Sequence, residues 1–307
     1  MTNIWTPLST RQGADQPLRD DVPAALETAL RGWIEETVRD SSVSEQRLLL
    51  RCDLVRDPNP AFEPSNDIDD IEFLAWFTPT EKLLDVVDAT LNLLPTGSIP
   101  TVRTLPRASK PTAFETMADV MGQMTFTKYR SPLQQLLDDG RSAYTIRTDG
   151  RALMRRVDRT VAALVGAAIH AAEQPNRGSA GVQLRRAYHA AYALRSDPVR
   201  AYSDAIKAVE SAAQATLEPN NHKATLGTML GALLQIGPQL EVAVPGRTDV
   251  EGLETVRSMM SMLWDGQVSR HGSQQAIPEE TLEQARMAVD IATVLVRWFS
   301  AGAIRRR

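Results

Sequence analysis

From Gly150 to Arg307 the apolar residues recur at helical spacing almost without a break, and this limits the fold more than any other feature of the chain. Near the end, Ala285, Ala288, Val289, Ala292, Leu295, Val296 and Phe299 follow the i, i+3, i+4, i+7 rule of a helix with one buried face. Upstream, Ala201, Ala205, Ala208, Ala212 and Ala215 form a small-residue stripe suited to close helix packing. The pattern predicts helices over 152–174, 181–194, 198–217, 224–236 and 249–263, and a last one starting at Pro278-Glu279-Glu280. Pro198 suits a first turn, Thr248 suits an N-cap, and the two glutamates suit the positive end of a helix dipole. Six helices with short connections make a bundle.

The first half is less regular. Residues 1–22, with Pro7, Gly13 and Pro17, read as an extended leader, followed by a helix over 22–38. The apolar run 46–55 is short, and periodicity leaves it open between strand and helix. Asp67–Phe77 and Pro79–Leu94 read as helices. Pro95, Pro100, Pro106 and Pro111 mark an irregular crossover, with short helices near 113–124 and 132–139 beyond it. Alternation over 143–150 ends in Asp149-Gly150, which predicts a short strand and a turn. The expectation is a mainly α protein: a smaller, mostly helical domain with a few short strands over 1–148, and a helical bundle over 149–307.

A chain of 307 residues is long enough for two domains. No apolar stretch reaches the ~18 residues of a membrane-spanning helix. The N-terminus has no basic region leading into an apolar core, so no secretory signal is expected. Cys52 alone excludes a disulfide framework and a Cys-rich zinc site, and a reducing cytoplasm is the expected compartment. The net charge of −4 conceals a segregation. Residues 1–100 carry 8 Lys+Arg against 18 Asp+Glu, residues 101–200 carry 16 against 8, and residues 201–307 carry 10 against 12. The basic middle third either pairs with the acidic first third or attracts a polyanion such as RNA.

The chain has no P-loop, no dinucleotide-binding glycine fingerprint, no GxSxG and no HExxH. His170, His189, His222 and His271 lack metal-ligand spacing. His271 stands out because Trp264, Asp265 and Arg270 lie close to it in sequence and Gly272 frees the backbone beside it. An imidazole moves protons near neutral pH, and a neighbouring guanidinium stabilises phosphate or a developing oxyanion. The same residues would also serve as a polar turn between two helices. Lys207 and Glu210, three apart, share a helix face as a reactive couple or a solvated ion pair. Asn220, Asn221, His222 and Lys223 precede a helix N-terminus, which suits an anion, although Thr225 would serve there as a plain cap. Arg151, Arg155 and Arg159 are expected on one helical face, with an acidic partner in the N-terminal domain or in nucleic acid.

Three features occur in order: AYSDAIKAVESAA, NNHKATLG, and RHG followed by a terminal amphipathic helix. Together they resemble the abortive-infection-protein-like C-terminal domain of the HEPN superfamily over residues 150–307, best from 180 onward. The resemblance implies a helical bundle that dimerises, and a metal-independent ribonuclease with an Arg-x4-6-His motif that needs no cofactor. In such enzymes the 2′-hydroxyl attacks the adjacent phosphate, the histidine moves a proton and the arginine stabilises charge. It also implies a toxin or antiviral effector role, with an antidote or regulatory protein as a further partner. Carried over, His271 takes the acid/base position, Arg270 and Lys207 hold phosphate, and Glu210 orients one of these groups. Asn220, Lys223, Arg257, Arg155 and Arg159 are candidate RNA contacts. The chain departs from the motif: Trp264, Asp265 and Gly266 stand where the arginine is expected, and Arg257 lies fourteen residues before His271. A non-catalytic module that binds RNA, nucleotide or protein, or that only dimerises, is the alternative.

Overall fold

The computed structural model describes residues 18–55, 68–95, 126–174, 178–244, 249–270 and 278–307. The protein is mainly α-helical, with two small two-stranded sheets among the described residues. It forms two compact units, Met1–Arg156 and Val157–Arg307. The leader before Leu18, the crossover from Thr96, the 113–124 segment and Thr248 lie outside the described residues.

In the first unit, α1 (Ala24–Asp40) buries Leu26, Leu30, Trp33, Ile34 and Val38 along one face. The run at 46–55 resolves as a helix, α2 (Glu45–Arg51), because the Ser44 side chain caps it by accepting the Arg47 N–H. Next come a single turn, α3 (Asp70–Glu72), a π-helical turn (Phe73–Phe77) and α4 (Thr80–Leu93), whose Leu83, Val86, Val87 and Leu91 are buried. A second π-helical turn (Phe126–Arg130) runs into α5 (Ser131–Asp139). Strands β1 (Tyr144–Ile146) and β2 (Leu153–Arg155) then pair antiparallel, Tyr144 opposite Arg155. Gly150 turns this hairpin at φ +69°, a left-handed conformation that glycine adopts freely.

The hairpin corrects the reading of 152–174 as one helix. Leu153–Arg155 is strand, held from the side by Asp88 of α4, which accepts the Leu153 N–H. The helix α6 runs only from Arg159 to Ala172, because Asp158 caps it by accepting the Thr160 N–H. Arg151, Arg155 and Arg159 therefore share no helix face. Arg155 pairs with Asp20, and Arg156 pairs with Asp138 at 2.5 Å. Lys128 likewise pairs with Asp40. Part of the basic middle third thus meets carboxylates of the same unit.

In the second unit, α7 (Ala180–Tyr192) and α8 (Pro198–Leu217) form a helical hairpin. Three further helices follow: α9 (Leu226–Ile236), α10 (Asp249–Gly266) and α11 (Leu282–Ser300). Together with α6 they give the expected six helices, and β3 (Leu240–Val242) pairs antiparallel with β4 (Ile304–Arg306) at the chain end. α8 is the central rod, packed most extensively on α7 and α11. Its buried face starts on the expected Ala201, Ala205 and Ala208, then continues through Val209, Ala213 and Leu217 rather than Ala212 and Ala215. The stripe on α11 is buried as expected, from Ala285 to Phe299. That helix starts at Leu282 rather than Pro278, because Thr281 and Gln284 close a capping box.

Candidate functional site on α8 and the α10–α11 connection

The sequence offers Lys207 and Glu210 as a couple on one face of α8. Arg200, Ser203, Lys207 and Glu210 lie on the face of α8 that is not buried, and there Lys207 and Glu210 each have another partner. Lys207 lies 3.5 Å from Asp204, which also faces Arg200 at 3.7 Å. Asp204 is 7% exposed, whereas the two cations reach into solvent. Glu210 instead accepts the backbone N–H of Leu226, the first residue of α9, at 2.7 Å. Burial raises its carboxyl above the usual carboxylate range, against the pull of that N–H and of the Lys207 charge. Glu210 is thus a tertiary cap, satisfying a donor that a helix start leaves unpaired.

The loop before α9 is closed by its own side chains. Gln214 donates to the Asn221 carbonyl at 2.7 Å, Asn221 donates to Glu218 at 3.1 Å, and Thr228 donates to Glu218 at 2.7 Å. Thr225 and Thr228 complete a capping box. Two of the N–H groups expected to receive an anion, on Leu226 and Thr228, are therefore already bonded. Asn220, His222 and Lys223 are exposed.

Two close approaches fix the end of α10. A Cβ on Gly227 would come 2.6 Å from the ring of Trp264, and one on Gly266 would come 2.4 Å from the Tyr202 hydroxyl. Tyr202 of α8 donates to the Met262 carbonyl at 3.3 Å, and burial raises its phenol above the usual range, with Glu280 and Asp265 adding to the rise. Past α10 the chain makes a short turn, Val268–Arg270. There the Ser269 N–H and hydroxyl both donate to Oε1 of Glu280, at 2.9 and 2.7 Å. Glu280 is 3% exposed, and its Oε2 has no hydrogen-bond partner among the described residues. Instead of serving a helix dipole, this glutamate anchors the connection between α10 and α11.

His271 lies outside the described residues, and Arg270 is the last described residue before it. Arg257, on α10, forms an ion pair with Glu254, its Nε 2.8 Å from the carboxylate. Arg159 is exposed at the start of α6, and Arg155 belongs to β2 of the first unit, where it pairs with Asp20. Among the described residues no group of three or more His, Cys, Asp and Glu side chains is arranged to hold a metal ion. Sequence reasoning missed Asp204, Tyr202 and Glu280. Asp204 carries a readable signal, lying three residues before Lys207, but its burial appears only once α8 is packed.

A second surface lies on α7 and α11. Tyr188 and Tyr192 sit with ring centroids 5.0 Å apart, and Arg286 lies over the Tyr192 ring at 5.0 Å. A shallow groove of about 520 Å³, lined by Leu282, Glu283, Arg286, Met287 and Asp290, runs along α11. Burial pushes the Tyr188 phenol up to about 12 and raises the Asp290 carboxyl.

No family model, curated protein or solved structure matches the chain. No helix among the described residues is long and apolar enough to cross a membrane.

Proposed function

We propose that the second unit is a HEPN-like module acting on RNA, in a phage-defence or toxin-like role, with metal-independent cleavage in which His271 is the acid/base. The supporting observation is the anchorage of the α10–α11 connection. Burying a carboxylate is costly unless it is bonded, and Glu280 is buried with one oxygen receiving both donors of Ser269. A plain polar turn does not require that arrangement. It fixes the backbone immediately before Arg270, the kind of support a reactive segment needs. In this reading Lys207 and Arg200, both solvent-facing, contact phosphate, and Glu210 supports α9 rather than the chemistry. A homodimer and an antidote or regulatory protein are part of the same proposal.

A second reading is a non-catalytic RNA-binding module. It is favoured by the engagement of Glu210 with Leu226 and of Arg257 with Glu254, which leaves binding cations but no assembled acid–base couple among the described residues.

One experiment separates the two: incubation of the full chain with total RNA in EDTA, beside filter binding across a salt series. Cleavage lost in His271→Ala supports the first reading, and cleavage that survives the substitution rejects the assigned role. Binding without turnover, weakened in Arg200→Ala/Lys207→Ala with a shallower salt slope, selects the second. Neither cleavage nor binding rejects both.

A further inference from the structure

In the first unit, a rare type of turn holds two large aromatic side chains out in solvent. Trp76 is 44% exposed and Phe77 45%, in a chain only 5% aromatic. They are the exposed Trp and Phe side chains among the described residues. Both lie on the π-helical turn Phe73–Phe77, whose Leu74 and Ala75 are fully buried beneath them. π-helical turns are uncommon and recur at functional sites, since they re-aim side chains at a cost in backbone bonding.

Here that cost is met by a buried arginine. Arg31 of α1, 8% exposed, donates to the carbonyls of Ala75 and Thr78, each at 2.8 Å. Its charge is balanced by Glu27, whose carboxylate also accepts the Thr80 hydroxyl. The Thr78 hydroxyl closes the turn on the Leu74 carbonyl at 2.7 Å. Trp76 is fixed in orientation, its indole N–H donating to Glu35 at 2.8 Å. Phe77 stacks parallel to Phe73, with centroids 6.3 Å apart. A rigid, oriented aromatic pair in water is the anatomy of an interaction anchor rather than of a core.

The charge around the pair is acidic. Asp69, Asp70 and Glu72 lie on the turn leading into Phe73, and Glu35 touches Trp76. Arg39 is the cation bridging Asp69 and Glu35. The Glu72 N–H and Arg39 hold the Asp69 carboxyl below the usual range. Such a surface repels a polyanion and complements a cationic segment.

We propose that Trp76 and Phe77, rimmed by Glu35, Asp69, Asp70 and Glu72, dock a basic peptide segment of a partner protein that inserts at least one large apolar side chain. The inference is independent of the RNA reading, which concerns the other unit.

The test is selection of a random twelve-residue peptide display library on the purified full chain. Counter-selection uses Trp76→Ala/Phe77→Ser, with a thermal melt to confirm that this variant is folded. The expected result is enrichment of sequences with net positive charge and a large apolar residue. Synthetic copies of these should bind the double variant at least about tenfold more weakly and lose affinity in Glu35→Gln/Asp69→Asn/Glu72→Gln and in high salt. Enriched peptides that are neutral or acidic, that bind the double variant equally well, or that fail to emerge at all, would overturn the proposal. So would light scattering showing a dimer that the double variant dissolves, since a second copy would then be the occupant.

Discussion

Glu210 and Leu226 are sixteen residues apart in the chain, yet the carboxylate of one accepts the backbone N–H of the other at 2.7 Å. The bond ties the centre of α8 to the first residue of α9. Removing it leaves a partly buried N–H unsatisfied, so Glu210→Ala should destabilise the second unit by about 1–2 kcal/mol. Glu210→Gln keeps an acceptor oxygen without the buried charge and should recover the whole loss at neutral pH. Urea unfolding of the three proteins reads this directly, and an Ala variant as stable as wild type would mean that water replaces the carboxylate without cost.

Arg31 carries a heavier structural share. It satisfies two carbonyls of the π-helical turn and an ion pair with Glu27 from a buried position. Arg31→Met fills similar volume but strands both carbonyls, so a loss of about 2–4 kcal/mol is expected. Hydrogen exchange at Ala75–Thr78 should rise before that of α1. Unchanged exchange there would show that the turn does not depend on the arginine.

Gly227 faces Trp264 so closely that a Cβ would sit 2.6 Å from the indole, and that ring is not a flexible chain end. Gly227→Ala should cost about 1–3 kcal/mol by overpacking. Gly231, on the same helix, is the control, because a Cβ added there would meet nothing within 4 Å. Gly231→Ala should stabilise by about 0.5–1 kcal/mol, the ordinary gain of alanine in a helix. Equal effects at the two positions would contradict the packing of α9 on α10.

Ser269 depends on Glu280 for two hydrogen bonds. Glu280→Ala should therefore release the turn at Val268–Arg270, and the Ser269 amide should exchange at least about tenfold faster, as one lost bond of ~1.4 kcal/mol requires. Ser269→Ala removes one of the two donors and should have the smaller effect. The reverse order would place the anchorage elsewhere.

The helices were legible where period and caps agree. The α11 stripe reads from the chain because Ala285 to Phe299 recur every three or four residues against a single packing face. The start of α11 does not, because Pro278-Glu279-Glu280 is a sound helix beginning until Thr281 and Gln284 cap the next turn and Glu280 is taken by Ser269. Leu153–Arg155 fails for a similar reason: its residues suit a helix, and only the return of the hairpin and the Asp88 acceptor, sixty-five positions away, make it a strand. At the candidate site, residue identities were readable but partners were not. Lys207 and Glu210 do share a face, yet Asp204 and Leu226 outcompete the pairing, and neither contact has a period or a motif to announce it.

The pH dependence of Glu210 separates burial from charge pairing. Burial raises its folded-state value above 4.5, outweighing the Leu226 N–H and Lys207. A carboxyl raised on folding binds its proton more tightly in the folded state. Its contribution is therefore fully present below the unfolded value and is lost as pH rises through the folded one. Glu210→Gln removes this titration while keeping the acceptor. The stability of wild type relative to Glu210→Gln should then fall as pH rises past the unfolded value of 4.5, with the Gln variant at least as stable at neutral pH. Urea midpoints at half-unit pH steps measure the difference. A wild type that gains on Glu210→Gln with rising pH would mean that the Lys207 charge and the Leu226 N–H outweigh desolvation, and would restore Lys207–Glu210 as a working couple.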